Sequence, residues 1–125
     1  MLWPVSVNED RMLRVDAMSG LMSGVKQIAS PNYDLRPPGM EADLIVVHGI
    51  SLPPGDFGGP WIDRLFSNTL PAQAHPYFTE VCAMRVSAHL AITRDGAGTQ
   101  YVKFTDRAWH AGQSSYQGRE QCNDF

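Results

Sequence analysis

Cysteine is scarce in this chain. Cys82 and Cys122 are the only two, they stand far apart, and their spacing matches neither a metal motif nor a redox pair. The expectation is two free thiols in a reducing compartment rather than a disulfide framework. Basic residues are few and scattered: ten Lys and Arg against thirteen Asp and Glu give a formal charge of -3, with no block of either sign. Nucleic acid is therefore excluded as the expected partner. No segment approaches the run of about 20 apolar residues that a membrane-spanning helix needs. The opening "MLWPVSVNEDRMLRVDAMSG" carries acidic residues where a secretory leader would have a basic region and then an apolar core. Cytoplasmic location, with no membrane partner, is the resulting expectation.

What is present suffices for one core. At 125 residues and 43% hydrophobic content the chain fits a single domain. Residues 1–20 show no sustained periodicity and read as a loosely ordered extension, leaving 21–125 as the domain. "SPNYDLRPPGM" has three prolines and predicts an extended surface segment. The apolar, β-branched run Leu44 to Val47 predicts a strand covered on both faces. From Ser51 to Gly59, prolines and glycines interrupt any ladder. Pro60 then opens a helix to about Asn68, with Trp61, Ile62, Leu65 and Phe66 on one face. A second short helix is expected over Tyr77 to Ala83.

"RVSAHLAIT" and "TQYVKF" alternate on either side of "RDGAG", which predicts a hairpin between Arg85 and Phe104. Strands interleaved with short helices give an α/β fold class, a central mixed β-sheet flanked by helices.

His48 follows the apolar run at the mouth of the proline-rich loop. Strand ends of α/β sheets gather functional groups, so His48 is a candidate metal ligand or catalytic group, or else a histidine satisfied within its loop. His75, His89 and His110 lack local metal-motif spacing, and His89 reads as structural. Arg85 is either a carboxylate clamp or a solvated strand end. Trp109, beside His110, could wall a sugar or pack against the core. Asp63 reads as an exposed helix residue.

Taken together, "VVHGISLPPGDFGGPWIDRLF", "HPYF", "RVSAHLAITRDG", "QYVKF", "RAWHAG" and "SSYQGRE-QCNDF" resemble the cytosolic zinc N-acetylmuramoyl-L-alanine amidases that act on 1,6-anhydro-muropeptides. These are members of the amidase type 2 and peptidoglycan-recognition-protein-like family. The resemblance runs from about Gly20 to Phe125. It implies a hydrolase of peptidoglycan turnover and cell wall recycling that cuts the amide between the lactyl group of the muramic sugar and L-alanine. It also implies a Zn²⁺ cofactor with His48 as its first ligand, a sugar site lined by Tyr77 and Trp109, and a peptide carboxylate engaged by Arg85. The implied partner is an anhydro-muropeptide substrate, and a monomer is expected.

The sequence departs from that pattern at Gly49, where the family has an asparagine, and at Gln121, where it has an arginine. By the same resemblance, the catalytic glutamate, two further zinc ligands and an oxyanion-stabilising lysine belong after Phe125. No catalytic residue is thus expected within these 125 residues, and the chain alone is expected to be inactive. A non-catalytic muropeptide-binding module is the alternative reading.

Overall fold

The structure is a computed structural model that describes residues 13–125. The expected loose extension over residues 1–20 falls largely outside them. Within the described part, β1 (Arg14–Val15) pairs antiparallel with β2 (Met22–Ser23). The turn between them closes with Gly20 in the left-handed region at φ 72°.

The main sheet has three strands: β3 (Lys26–Gln27), β5 (Leu90–Ile92) and β6 (Gly98–Gln100). β6 is central, parallel to β3 and antiparallel to β5, so the sheet is mixed. The β5–β6 connection is the hairpin that the Gly-rich "RDGAG" predicts. Thr93 N donates to Ala97 O at 2.9 Å and Gly96 adopts φ 87° in the turn.

Beside this sheet, β4 (Tyr33–Leu35) pairs antiparallel with β7 (Asp106–Ala108). Two backbone bonds continue the ladders between these strand pairs. Tyr101 N donates to His89 O at 2.9 Å on one side of segment 87–89, and Ser87 N donates to Trp109 O at 3.0 Å on the other. A last hairpin joins β8 (Ser115–Tyr116) to β9 (Arg119–Glu120).

Helix α1 (Trp61–Phe66) starts after Pro60, as its fixed φ favours, and buries Leu65 and Phe66. Helix α2 (Phe78–Val81) buries Phe78 completely. Edge-to-face contacts lock both helices in place: Trp61 against Phe78 at 5.1 Å and Phe66 against Tyr101 at 4.8 Å between centroids. The core is completed by Leu52, Leu70, Val102 and Ala108.

Two expectations are corrected. Leu44 to Val47 form no strand: the segment carries no regular structure, and Ile45 and Val47 are 89% and 90% exposed. Strand propensity is not enough here, because a strand also needs a ladder partner, and none of the described residues pairs with this run. Asp63 is not a bare surface carboxylate. Its Oδ1 accepts the Tyr101 hydroxyl at 2.5 Å, tying α1 to the residue that follows β6, and burial with this bond raises the phenol above its usual pKa. Both cysteines are free, as expected, Cys122 buried and Cys82 half-buried.

Candidate functional site

The segment that carries Trp109 and His110 is held from three sides. Ser87 Oγ accepts Trp109 N at 3.0 Å and donates to Asn32 O at 2.6 Å, while Ser87 N donates to Trp109 O. Asn32, itself buried, donates to Asn68 Oδ1 at 2.9 Å and Val86 O at 2.8 Å. On the other flank, Asn123 Oδ1 accepts both His110 N at 3.1 Å and Ala111 N at 2.9 Å. The third tie is through the side chain, since Trp109 Nε1 donates to Asp34 Oδ1 at 3.1 Å. Backbone groups that would otherwise be orphaned are thus paired, which fixes the segment's course.

His48 meets this segment. Its ring stacks on that of His110 with centroids 6.1 Å apart and planes 19° apart, and His110 lies 6.3 Å from His89. The three histidines run from the exposed His48 inward to His89, whose Nε2 donates to Asp106 O at 3.0 Å. Burial, and then the neighbouring His89, His48 and Arg36, hold the His110 imidazole below its usual pKa. His89 is likewise lowered, chiefly by burial. Arg36 anchors the floor by donating to Asn123 O at 3.2 Å and Phe104 O at 3.1 Å, and its buried Nε has no partner among the described residues.

The other candidates stand apart from this group. Arg85 is exposed and, among the described residues, reaches only Ala83 O, at 3.4 Å; two positions further along is Ser87, bonded to Trp109. Tyr77 is half-buried at the start of α2, its N–H donated to His75 Nδ1 at 3.0 Å and its ring against the core. Gly49, beside His48, has open space around the position of a Cβ, and Gln121 is exposed with φ 62°.

A catalytic zinc takes about three protein ligands. Among the described residues no three His, Cys, Asp or Glu side chains gather closely enough to hold an ion. His48 therefore does not, with its described neighbours, fit a zinc site. The residues that sequence reasoning missed are Asp34, Ser87 and Asn123. Each acts from 12 to 75 positions away along the chain, and no local motif marks such a contact.

The fold is a mixed sheet with flanking helices, on which His48 meets His110, the residue next to the pinned Trp109. The N-acetylmuramoyl-L-alanine amidase family model matches residues 38–125, and the chain belongs to that family. It is similar to the 1,6-anhydro-N-acetylmuramyl-L-alanine amidase AmpD of Escherichia coli K12, with 59% identity over 106 residues, 85% of this chain and 58% of the relative. The Haemophilus influenzae AmpD is 54% identical over 110 residues, 88% of this chain and 60% of that protein. A crystal structure of a selenomethionine derivative of AmpD superposes with a TM-score of 0.85 at 56% identity, covering 90% of this chain and 62% of the other. The solution structure of Citrobacter freundii AmpD gives a TM-score of 0.56 at 55% identity, over 90% and 59% of the two chains. The chain thus spans about three fifths of the length of these relatives.

Proposed function

We propose that these residues form the substrate-facing part of a zinc-dependent, cytoplasmic amidase that hydrolyses the lactyl-L-alanine amide of 1,6-anhydro-muropeptides. The observation that carries the reading is the pairing of His48 with His110, one residue from Trp109, inside the stretch that matches the family. In this reading Trp109 and Tyr77 wall the muramic sugar, and Arg85 receives a peptide carboxylate with its planar fork. His48 is one ligand of a zinc site whose other ligands are not among the described residues. Hydrolysis adds water across the amide, leaving the lactyl carboxylic acid on the sugar and a free amine on L-alanine.

The test is mass spectrometry of a 1,6-anhydro-N-acetylmuramyl peptide incubated with equimolar zinc and protein. The 125 residues as they stand are expected to bind the muropeptide without releasing the peptide. A chimera extended to the relatives' length is expected to release it, and His48→Ala is expected to abolish both release and zinc retention there. Cleavage by the 125 residues would overturn the expected inactivity, and undiminished turnover in the His48→Ala chimera would remove His48 from the metal. The scarcity of metal-ligating groups around His48 favours one second reading, a non-catalytic muropeptide-binding module. Muropeptide affinity that is indifferent to zinc, with no release by the chimera, would select it.

A further inference from the structure

The indole N–H of Trp109 is already spent. It donates to Asp34 Oδ1 at 3.1 Å, and an indole has a single donor to offer. The same carboxylate takes a forked contact from Arg107, Nε to Oδ1 at 2.7 Å and Nη2 to Oδ2 at 2.5 Å. The remaining arm of Arg107, Nη1, donates to Asp124 Oδ1 at 2.7 Å. Asp34 is therefore not free to swing: its two oxygens are held in the plane of a guanidinium that is itself anchored at its far side. The Arg107 guanidinium keeps the Asp34 carboxyl below the usual carboxylate range, so it is a full acceptor at neutral pH.

We infer that Asp34 is a positioning residue that sets the plane of the Trp109 indole, so that Trp109 meets a ligand through its ring surface and not through its N–H. This rests on the proposed placement of Trp109 in the sugar site and specifies the chemistry of that contact. The backbone of Trp109 is fixed independently by Ser87, which leaves the side-chain torsions as the freedom that Asp34 removes. A ring face held in advance suits the apolar C–H face of a sugar and adds no ordering cost on binding. It is also indifferent to where the ligand carries its hydrogen-bond acceptors.

An ion pair that merely closed β4 onto β7 would stabilise the fold without acting on the indole, and a mutant cycle separates the two. The variants are Asp34→Ala, Asp34→Asn, Trp109→Phe and the Asp34→Ala/Trp109→Phe pair, with 1,6-anhydro-N-acetylmuramic acid as the probe. In the ligand-free protein, Asp34→Ala is expected to shift the Trp109 indole N–H resonance and speed its solvent exchange, whereas Asp34→Asn, whose one oxygen can still accept from the indole but whose amide nitrogen faces the donor Arg107 Nη2, is expected to shift it less. Asp34→Ala and Trp109→Phe are each expected to weaken binding of the probe about tenfold, the scale of one hydrogen bond to a charged group. The double variant is expected to lose no more than Trp109→Phe alone.

An unmoved indole resonance in Asp34→Ala, or additive losses in the double variant, would overturn the inference. If Asp34→Ala does not fold, the Asp34→Asn spectrum and the Trp109→Phe affinity decide: an unmoved resonance in the first, or full affinity in the second, overturns it. A wild-type chain that ignores the probe while its indole resonance still responds to Asp34→Ala would sink the sugar-site reading and leave the link from Asp34 to Trp109 standing.

Discussion

Burial biases the His89 ring toward its neutral form. Its Nε2 carries the hydrogen, since it donates to the Asp106 carbonyl, and the nearest cation, Arg36 Nη2, lies 3.5 Å from the same nitrogen. Burial first, and Arg36 in addition, lower its pKa from the ordinary 6.5, while the Asp106 carbonyl and carboxylate oppose the shift and the His110 ring lies 6.3 Å away. The unfolded chain therefore binds a proton on this residue more readily than the folded one. Stability is unaffected by His89 well above pH 6.5 and falls as pH drops below 6.5 toward the lower folded value. Thermal melting at pH 7.5 and pH 5.5 is expected to show a lower midpoint at the acid value. His89→Gln, which keeps a donor for Asp106, is expected to flatten the dependence. An unchanged slope in that variant would assign the effect elsewhere.

The residue scale also shows what a sequence carries and what it hides. The structural role of His89 is legible from strand alternation, whereas the reading of His48 rests on a strand over Leu44 to Val47 that does not form. Asp34 and Asn123 look like ordinary polar loop and strand residues, because their function consists of bonds to groups distant in sequence.

Among the elements, those written in local chemistry are legible. The β5–β6 hairpin follows from alternation around Asp95 and Gly96, and α1 follows from Pro60 and the spacing of its apolar residues. The β1–β2 hairpin is not, since two residues per strand give no periodicity to detect. Its turn depends instead on Gly20. A Cβ there would stand 2.7 Å from Thr105 Oγ1 and 2.8 Å from Thr105 N, on a backbone at φ 72°. Gly20 O also accepts from Phe104 N at 2.9 Å and from the buried amide of Gln100 at 2.9 Å, so the strain has no easy outlet. Gly20→Ala is expected to cost about 1–3 kcal/mol. Chemical denaturation measures it, and a loss below about 0.5 kcal/mol would mean that the turn relaxes freely.

At the scale of the whole molecule, the run from Leu44 to Val47 stands out. Its composition is that of a buried strand, yet Ile45 and Val47 lie almost fully in solvent, with Leu35 at 78% and Ile92 at 70% also exposed. The sequence could be read for what this segment prefers but not for what it pairs with, because pairing belongs to the fold and not to the run. Exposed, β-branched and uncharged, such a segment invites association between chains. Light scattering at rising concentration is expected to reveal self-association of the 125 residues. Ile45→Lys with Val47→Lys is expected to suppress it without lowering the melting midpoint, since neither side chain is buried. A lowered midpoint would show that the run packs in solution.

The central claim is that Trp109, and His48 stacked on the neighbouring His110, face a muropeptide. The most direct measurement is a backbone and indole ¹H–¹⁵N spectrum of the chain titrated with a 1,6-anhydro-N-acetylmuramyl peptide. The account predicts saturable shifts concentrated at His48, Tyr77, Arg85, the Trp109 indole and His110, with the β1–β2 hairpin unmoved. Shifts centred on that hairpin, or none at millimolar ligand, would contradict it.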